Sequence, residues 1–298
     1  MKLVTFLRDN YQSIGVLGSG TATLIDIQQL KGQFPSSMID FVSLGDAGLD
    51  RLKKAVTDAP NEAVLNLADV ELLAPIPVSR KNIMCVGRNY HEHAKEFHDS
   101  GFDATAGKTA VPDDPIIFTK APTSVIGPNA SIPSHLDPTN SADYEGELGV
   151  VIGNGGRGIL KQDAFQHVYG YTVINDVTAR NLQHKHKQWF IGKSLDGFCP
   201  MGPTLLTAGE VDDVGRLNLI TAVNGEIRQD ASVSDLIFDI PTLIETISAG
   251  ITLEPGDIIA TGTPVGVGIG FEPPIFLKPG DVVRVTIEPI GSLENTVV

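Results

Sequence analysis

Short apolar runs closed by glycine, proline or asparagine recur along most of the chain. From Asn82 onward they read NIMCVG, PIIFTK, ELGVVIG, YGYTVIND, NLITAVNG, GDIIATG and DVVRVTIEPI. Runs of this length between turn residues predict strands. Helical periodicity is confined to His91–Phe97, Val177–His186 and Ile240–Ile247. This balance predicts a β-rich mixed α+β architecture, a rolled or barrel-like sheet, and not alternating βαβ units. Ahead of it, MKLVTFL and SIGVL predict two strands, followed by helical stretches around Ser36–Phe41 and Leu49–Val56. In Leu72-Leu73-Ala74-Pro75-Ile76-Pro77 the prolines impose an extended segment that no helix interior tolerates. A boundary is placed there, giving a small N-terminal α+β unit over 1–74 and a larger β-rich domain over 75–298.

Composition narrows the function classes. The 298 residues carry 36 acidic against 22 basic side chains, a formal net charge of −14. Such a surface repels phosphate backbones, which argues against nucleic acid as a partner. Hydrophobic residues at 42% and charged residues at 19% suit a chain with a sizeable core and exclude a disordered one. No apolar run is long enough to span a membrane, and Arg8 and Asp9 interrupt the N-terminal run too soon for a signal-peptide core, so a soluble cytoplasmic protein is expected. Cys85 and Cys199 stand alone without a CxxC spacing, and Cys85 in Ile83-Met84-Cys85-Val86 reads as an inert buried thiol. The stretch His98–Asp114 is polar and aperiodic and carries Asp99, Asp103, Asp113 and Asp114; loops of that length are commonly functional lids or mobile.

Four groups of residues offer chemistry. In Asp143-Tyr144-Glu145-Gly146-Glu147-Leu148-Gly149-Val150-Val151-Ile152, strand alternation puts Glu145 beside Glu147 on one face and Leu148, Val150 and Ile152 on the other. An exposed strand edge would explain the pair equally well. Asn175-Asp176 closes a second strand and opens Val177–Gln183, where Asp176 would also serve as a plain N-cap. Carboxylates from strand ends, with no thiolate nearby, suit a hard cation such as Mg²⁺ or Mn²⁺. In Arg88–Glu96, His93 and Glu96 fall at i, i+3 of a helix, where the carboxylate can orient the imidazole as a base. Zincin spacing fails, because Lys95 stands where HExxH starting at His91 needs its second histidine. Lys120, Arg180 with Gln183 one turn on, and Lys193 are cations in apolar or glycine-rich settings that could ring an anionic substrate. Gly153–Gly158 matches GxGxxG and has Asp176 about twenty residues on, but the helix available after it is short for a parallel crossover. Gly266–Gly270 fails as a second such motif because Pro273 and Pro274 follow.

As a set these segments resemble the fumarylacetoacetate hydrolase family. The matching pieces are Leu73–Pro77, Cys85–Tyr90 with His93 and Glu96, Asp143–Glu147, Gly170-Tyr171 through Asn175–Arg180, Gly192–Asp196 with Gly202-Pro203, and Gly256–Pro264, in the family's order. The resemblance implies the family's mixed β-roll, with the N-terminal unit similar to a bacterial accessory domain. It implies Glu145, Glu147 and Asp176 as ligands of Mg²⁺ or Mn²⁺, and His93 with Glu96 as a water-activating dyad. Lys193 and Gln183 match oxyanion-stabilising groups; Arg88, Lys120, Arg180 and Thr263 match positions in or near the substrate site. The reaction it implies is hydrolysis of a carbon–carbon bond in an acylpyruvate- or fumarylpyruvate-type 2,4-dioxo acid, releasing pyruvate and a carboxylic acid. Oxaloacetate decarboxylation and 2-hydroxymuconate-type (2-hydroxyhepta-2,4-diene-1,7-dioate) isomerisation are the family's alternatives, and a non-catalytic metal-binding module is a distant one. A homodimer taking a small 2-oxo acid is the family expectation.

Overall fold

The structure, a computed structural model, describes residues 1–18, 22–102 and 109–298. Its larger sheet runs in the order Val64–Asn66, Thr23–Asp26, Tyr11–Leu17, Lys2–Arg8, Cys199–Thr207, Val168–Asn175, Gly146–Ile152, Ile258–Ala260, Ile83–Gly87 and Ile116–Lys120. Most neighbours are antiparallel, while Ile258–Ala260 runs parallel to Ile83–Gly87. A four-stranded sheet, Glu226–Ser232, Asn218–Val223, Val282–Ile287 and Gly291–Thr296, packs on it. The fold is therefore the sheet-rich mixed α+β architecture that the strand count predicts.

The strand Gly146–Ile152 lies between two cores. Leu148, Val150 and Ile152 join Leu219, Val283 and Val285 of the smaller sheet. From its opposite face, Val151 packs with Ile174, Ile258 and Ala260, and with Leu3, Ile39 and Phe41 of the N-terminal unit. Full burial of each such side chain contributes about 1.5–3 kcal/mol. A strand buried on both sides cannot be a solvated edge, so Glu147 within it and Glu145 just ahead of it, both buried, face partners and not water.

The chain closes no gap at the boundary expected after Ala74. Lys2–Arg8 pairs with Cys199–Thr207 in the register Lys2↔Leu206 and Leu3↔Leu205, so one sheet continues across both units. Cys199–Thr207 escapes the sequence pattern because Pro200, Gly202 and Pro203 interrupt it, and prolines argue against a central strand. The ladder accommodates them with a register shift between Tyr171 and Val173 opposite.

Gly153–Gly158 joins antiparallel strands, Gly146–Ile152 and Val168–Asn175, which removes the dinucleotide reading. Cys85 and Cys199 are free and buried, and burial pushes both thiols up, Cys199 to about 12. Among the described residues no helix is long and apolar enough to cross a membrane. Of the lid expected over His98–Asp114, residues 103–108 lie outside the described residues; Phe102, just before them, stacks edge-on against His184 and Phe276.

Candidate active site

Strand pairing assembles the carboxylates. Gly146 sits opposite Asn175 in the ladder, which brings Glu145 and Asp176 to the same end of neighbouring strands. The junction is fixed on both sides: Asp176 N–H donates to Glu145 O at 2.8 Å, and Glu145 N–H donates to Asn175 Oδ1 at 3.0 Å. Glu147, two residues on, shares the Glu145 side of the strand. Ligand oxygens of Glu145, Glu147 and Asp176 all lie within 4.8 Å of one another, and all three residues are buried.

Cations meet this cluster unevenly. Lys193 Nζ bridges Glu145 Oε2 and Asp176 Oδ2, each at 2.8 Å. Arg180 Nη1 reaches Glu145 Oε1 at 2.5 Å while its Nε donates to Asp143 Oδ2 at 2.8 Å. Burial alone would raise the Glu145 carboxyl, but Lys193 and Arg180 outweigh it and hold it at about 2. Glu147 has only the N–H of Gly262, at 2.9 Å, and no ion pair among the described residues. Burial, then the charges of Asp176 and Glu145, push its carboxyl well above the usual range. Three buried oxygen donors without thiolate or imidazole, one of them uncompensated, fit a hard divalent cation of the Mg²⁺ or Mn²⁺ kind.

The helix His91–Asp99 carries the dyad. His93 Nδ1 faces Glu96 Oε2 at 2.9 Å, so Nε2 is the nitrogen left for proton transfer. Glu96 Oε1 accepts the N–H of Gly266 at 2.9 Å. Phe97 seats the same helix edge-on against Trp189, ring centroids 5.8 Å apart. Trp189 in turn lies over Gly87, where a Cβ would come within 2.3 Å of the indole. That clash explains the glycine before Arg88.

A cavity of about 20 Å³ opens between these groups, lined by His93, Glu145, Glu147, Lys193 and Thr263, and closed by Arg88, Arg180, Gln183, Phe97, Phe118 and Trp189. Arg180 Nη1 donates to Gln183 Oε1 at 3.3 Å, which leaves the Gln183 amide N–H groups as donors. Arg180 Nη2 is buried and makes no hydrogen bond among the described residues. Three site residues expected from the sequence stand outside this lining: Asp176 and Glu96, each bonded to a lining residue, and Lys120. Lys120 Nζ binds Asp176 Oδ1 at 2.6 Å and the carbonyls of Val177 and Lys193, so it fastens a carboxylate and does not face the cavity.

Two contributors carry no role in the sequence reading. Asp143 accepts from Arg180 Nε and from the N–H groups of Gly268 (2.7 Å) and Ile269 (3.2 Å). Its place at i−2 from Glu145 was the available signal. The second is Gly262–Gly270, whose N–H groups address Glu147, Glu96 and Asp143 in turn. In the sequence Gly262 and Thr263 entered through the family match over Gly256–Pro264, and Gly266–Gly270 only as a failed nucleotide motif; the backbone donors of the segment went unread.

A buried carboxylate triad beside a His–Glu pair and a group of cations is an arrangement suited to a hard divalent metal ion. Comparison with known proteins gives the family. The fumarylacetoacetate (FAA) hydrolase C-terminal profile matches residues 82–298. Oxaloacetate tautomerase YisK of Bacillus subtilis (strain 168) is 49% identical over 88% of this chain and 87% of its own length. A fumarylacetoacetate hydrolase from psychrophilic Exiguobacterium antarcticum is 42% identical with a TM-score of 0.82, covering 100% of this chain and 99% of its own. Maleylpyruvate hydrolase from Sphingobium sp. SYK-6, in complex with manganese (II) ion and pyruvate, is 30% identical with a TM-score of 0.79, covering 100% and 99%. The chain belongs to the fumarylacetoacetate hydrolase family, whose enzymes have metal-dependent activity.

Proposed function

We propose that the protein is a divalent-metal-dependent enzyme that interconverts the enol and keto forms of a small 2-oxo dicarboxylate such as oxaloacetate. The observation that carries this reading is the placement of His93, whose Nδ1 is taken by Glu96 at 2.9 Å and whose ring lines the same cavity as Glu145 and Glu147, so that a proton carrier stands beside the carbonyl that a metal held there would polarise. The 49% identity to a protein named oxaloacetate tautomerase supports it.

Glu145, Glu147 and Asp176 would hold the cation, which when bound polarises the 2-oxo group and lowers the cost of charge on its oxygen. His93 Nε2 takes the C3 proton and, as imidazolium, delivers it to the enolate oxygen to give the enol; the reverse order, from oxygen to C3, gives the ketone. Glu96 holds the ring and stabilises the imidazolium. Arg180 Nη2 and the Gln183 amide donate to substrate oxygens where charge develops. Phe97 and His93 of helix His91–Asp99 line the cavity beside the triad.

Carbon–carbon hydrolysis of an acylpyruvate is the second reading. The intact dyad favours it, because His93 could equally remove a proton from water, and so does the 30% identity to maleylpyruvate hydrolase. A panel of enol-oxaloacetate, oxaloacetate, acylpyruvates, fumarylpyruvate and 2-hydroxymuconate-like dienoates, each with Mg²⁺ and Mn²⁺, tests both. Enol–keto conversion is expected to show the highest kcat/KM. A higher value for acylpyruvate cleavage overturns the first reading, and turnover that survives exhaustive chelation overturns both.

A further inference from the structure

Gln229 belongs to the strand Glu226–Ser232 of the smaller sheet and is buried. Its Oε1 accepts the N–H of Gly146 at 3.0 Å. Its Nε2 donates to Thr263 Oγ1 and to Pro264 O, both at 2.8 Å. The orientation of an amide is ordinarily ambiguous; here two backbone groups decide it. Gly146 N–H can only donate and Pro264 C=O can only accept, so the nitrogen must face Thr263. A hydroxyl is both donor and acceptor and turns to suit its partners. With a donor already on its oxygen, the Thr263 proton is directed away from Gln229, and Thr263 lines the cavity.

We propose that Gln229 is a positioning residue for substrate recognition: it fixes the Thr263 hydroxyl as a donor into the cavity, aimed at a carboxylate oxygen of the substrate. This rests on the proposed function only in taking the ligand to be a small carboxylate. Gln229 also grips the backbone between Glu145 and Glu147, so the test must separate recognition from support of the triad.

Oxalate, an unreactive carboxylate probe, is titrated into the manganese-loaded protein by calorimetry, and Mn²⁺ alone into the metal-free protein. Gln229→Glu keeps the acceptor for Gly146 N–H but its ionised form cannot donate to Thr263. It is expected to weaken oxalate about tenfold, the scale of one hydrogen bond to a charged group, with Mn²⁺ affinity within about twofold. Thr263→Val should weaken oxalate equally, and the double variant no more than either single one. Gln229→Asn, neutral but one methylene short, should show the same selective loss if the first variant fails to fold. An unchanged oxalate affinity, additive losses, or Mn²⁺ weakened as much as oxalate overturns the proposal, as does a wild-type protein that binds no oxalate. Oxalate binding that follows this pattern in a protein inert towards every 2-oxo acid would sink the proposed function and leave this inference standing.

Discussion

Glu96 Oε1 accepts the backbone N–H of Gly266 at 2.9 Å, across 170 residues of chain. The contact ties the His93–Glu96 pair to a loop that also donates to Glu147 through Gly262 and to Asp143 through Gly268 and Ile269. One loop therefore sets the positions of the His93–Glu96 pair, one carboxylate of the triad and the anchor of Arg180. Gly266 adopts φ 105°, and a Cβ there would come 1.9 Å from Arg228 O, so the loop's path at that point is open to glycine alone.

Gly270→Ala should uncouple the dyad without altering it. The new Cβ would meet Glu96 Oε1 at 1.9 Å, and a carboxylate at the end of a flexible side chain is what yields. The expected result is a kcat close to that of Glu96→Ala, with stability reduced by about 1–3 kcal/mol, the scale of overpacking. Steady-state kinetics beside a melting curve checks it.

His93→Ala removes the proton carrier and should lower kcat by about 10²–10⁴. Its imidazole is not in the triad, so Mn²⁺ affinity measured by calorimetry should change little. Loss of metal binding would make His93 a support of the triad and not a base.

Glu147→Gln deletes the carboxylate that has no cation partner. Relief of repulsion from Asp176 and Glu145 should raise the melting temperature of the metal-free protein. Mn²⁺ affinity should fall by more than the roughly 10–100-fold that losing an outer-shell partner costs. The two melting curves, with and without Mn²⁺, should thus shift in opposite directions.

Asp239 caps helix Ile240–Ser248 by accepting Thr242 N–H at 2.9 Å. Burial would raise its carboxyl, but the Thr242 hydroxyl and N–H, then Lys161, hold it below its ordinary 3.8. A folded value below the unfolded one stabilises above about pH 4 and is lost as pH falls through the folded value. Asp239→Ala should cost about 1 kcal/mol at pH 7, with the gap to the wild type narrowing below pH 4 in urea melts.

The triad was legible because strand alternation pairs Glu145 with Glu147 from local sequence alone. That Asp176 joins them needed the family resemblance, since an aspartate ahead of Arg180 reads equally as a cap. Lys120 shows the limit of such reading. An isolated lysine at a strand end announces a charge but not which way it faces, and packing turned it towards the Asp176 carboxylate and two carbonyls. Cys199–Thr207 was hidden by its own prolines, and Gln229 by distance, because its partners lie 83 and 34 residues away. Interactions of that span leave no periodic trace.

The pairing of Lys2 with Leu206 has a consequence for how the protein is made. Strand Lys2–Arg8 leaves the ribosome long before Cys199–Thr207 and gains this neighbour only after Thr207 has emerged. Contacts of such high order close late and slow folding. Glu71–Leu73 already covers Thr5–Leu7 of that strand, so until then only the stretch around Lys2 and Leu3 presents an open β-edge, a short template for pairing with another chain. The large sheet can be completed only by a chain synthesised well past its middle, which favours cooperative folding of the whole over stable fragments.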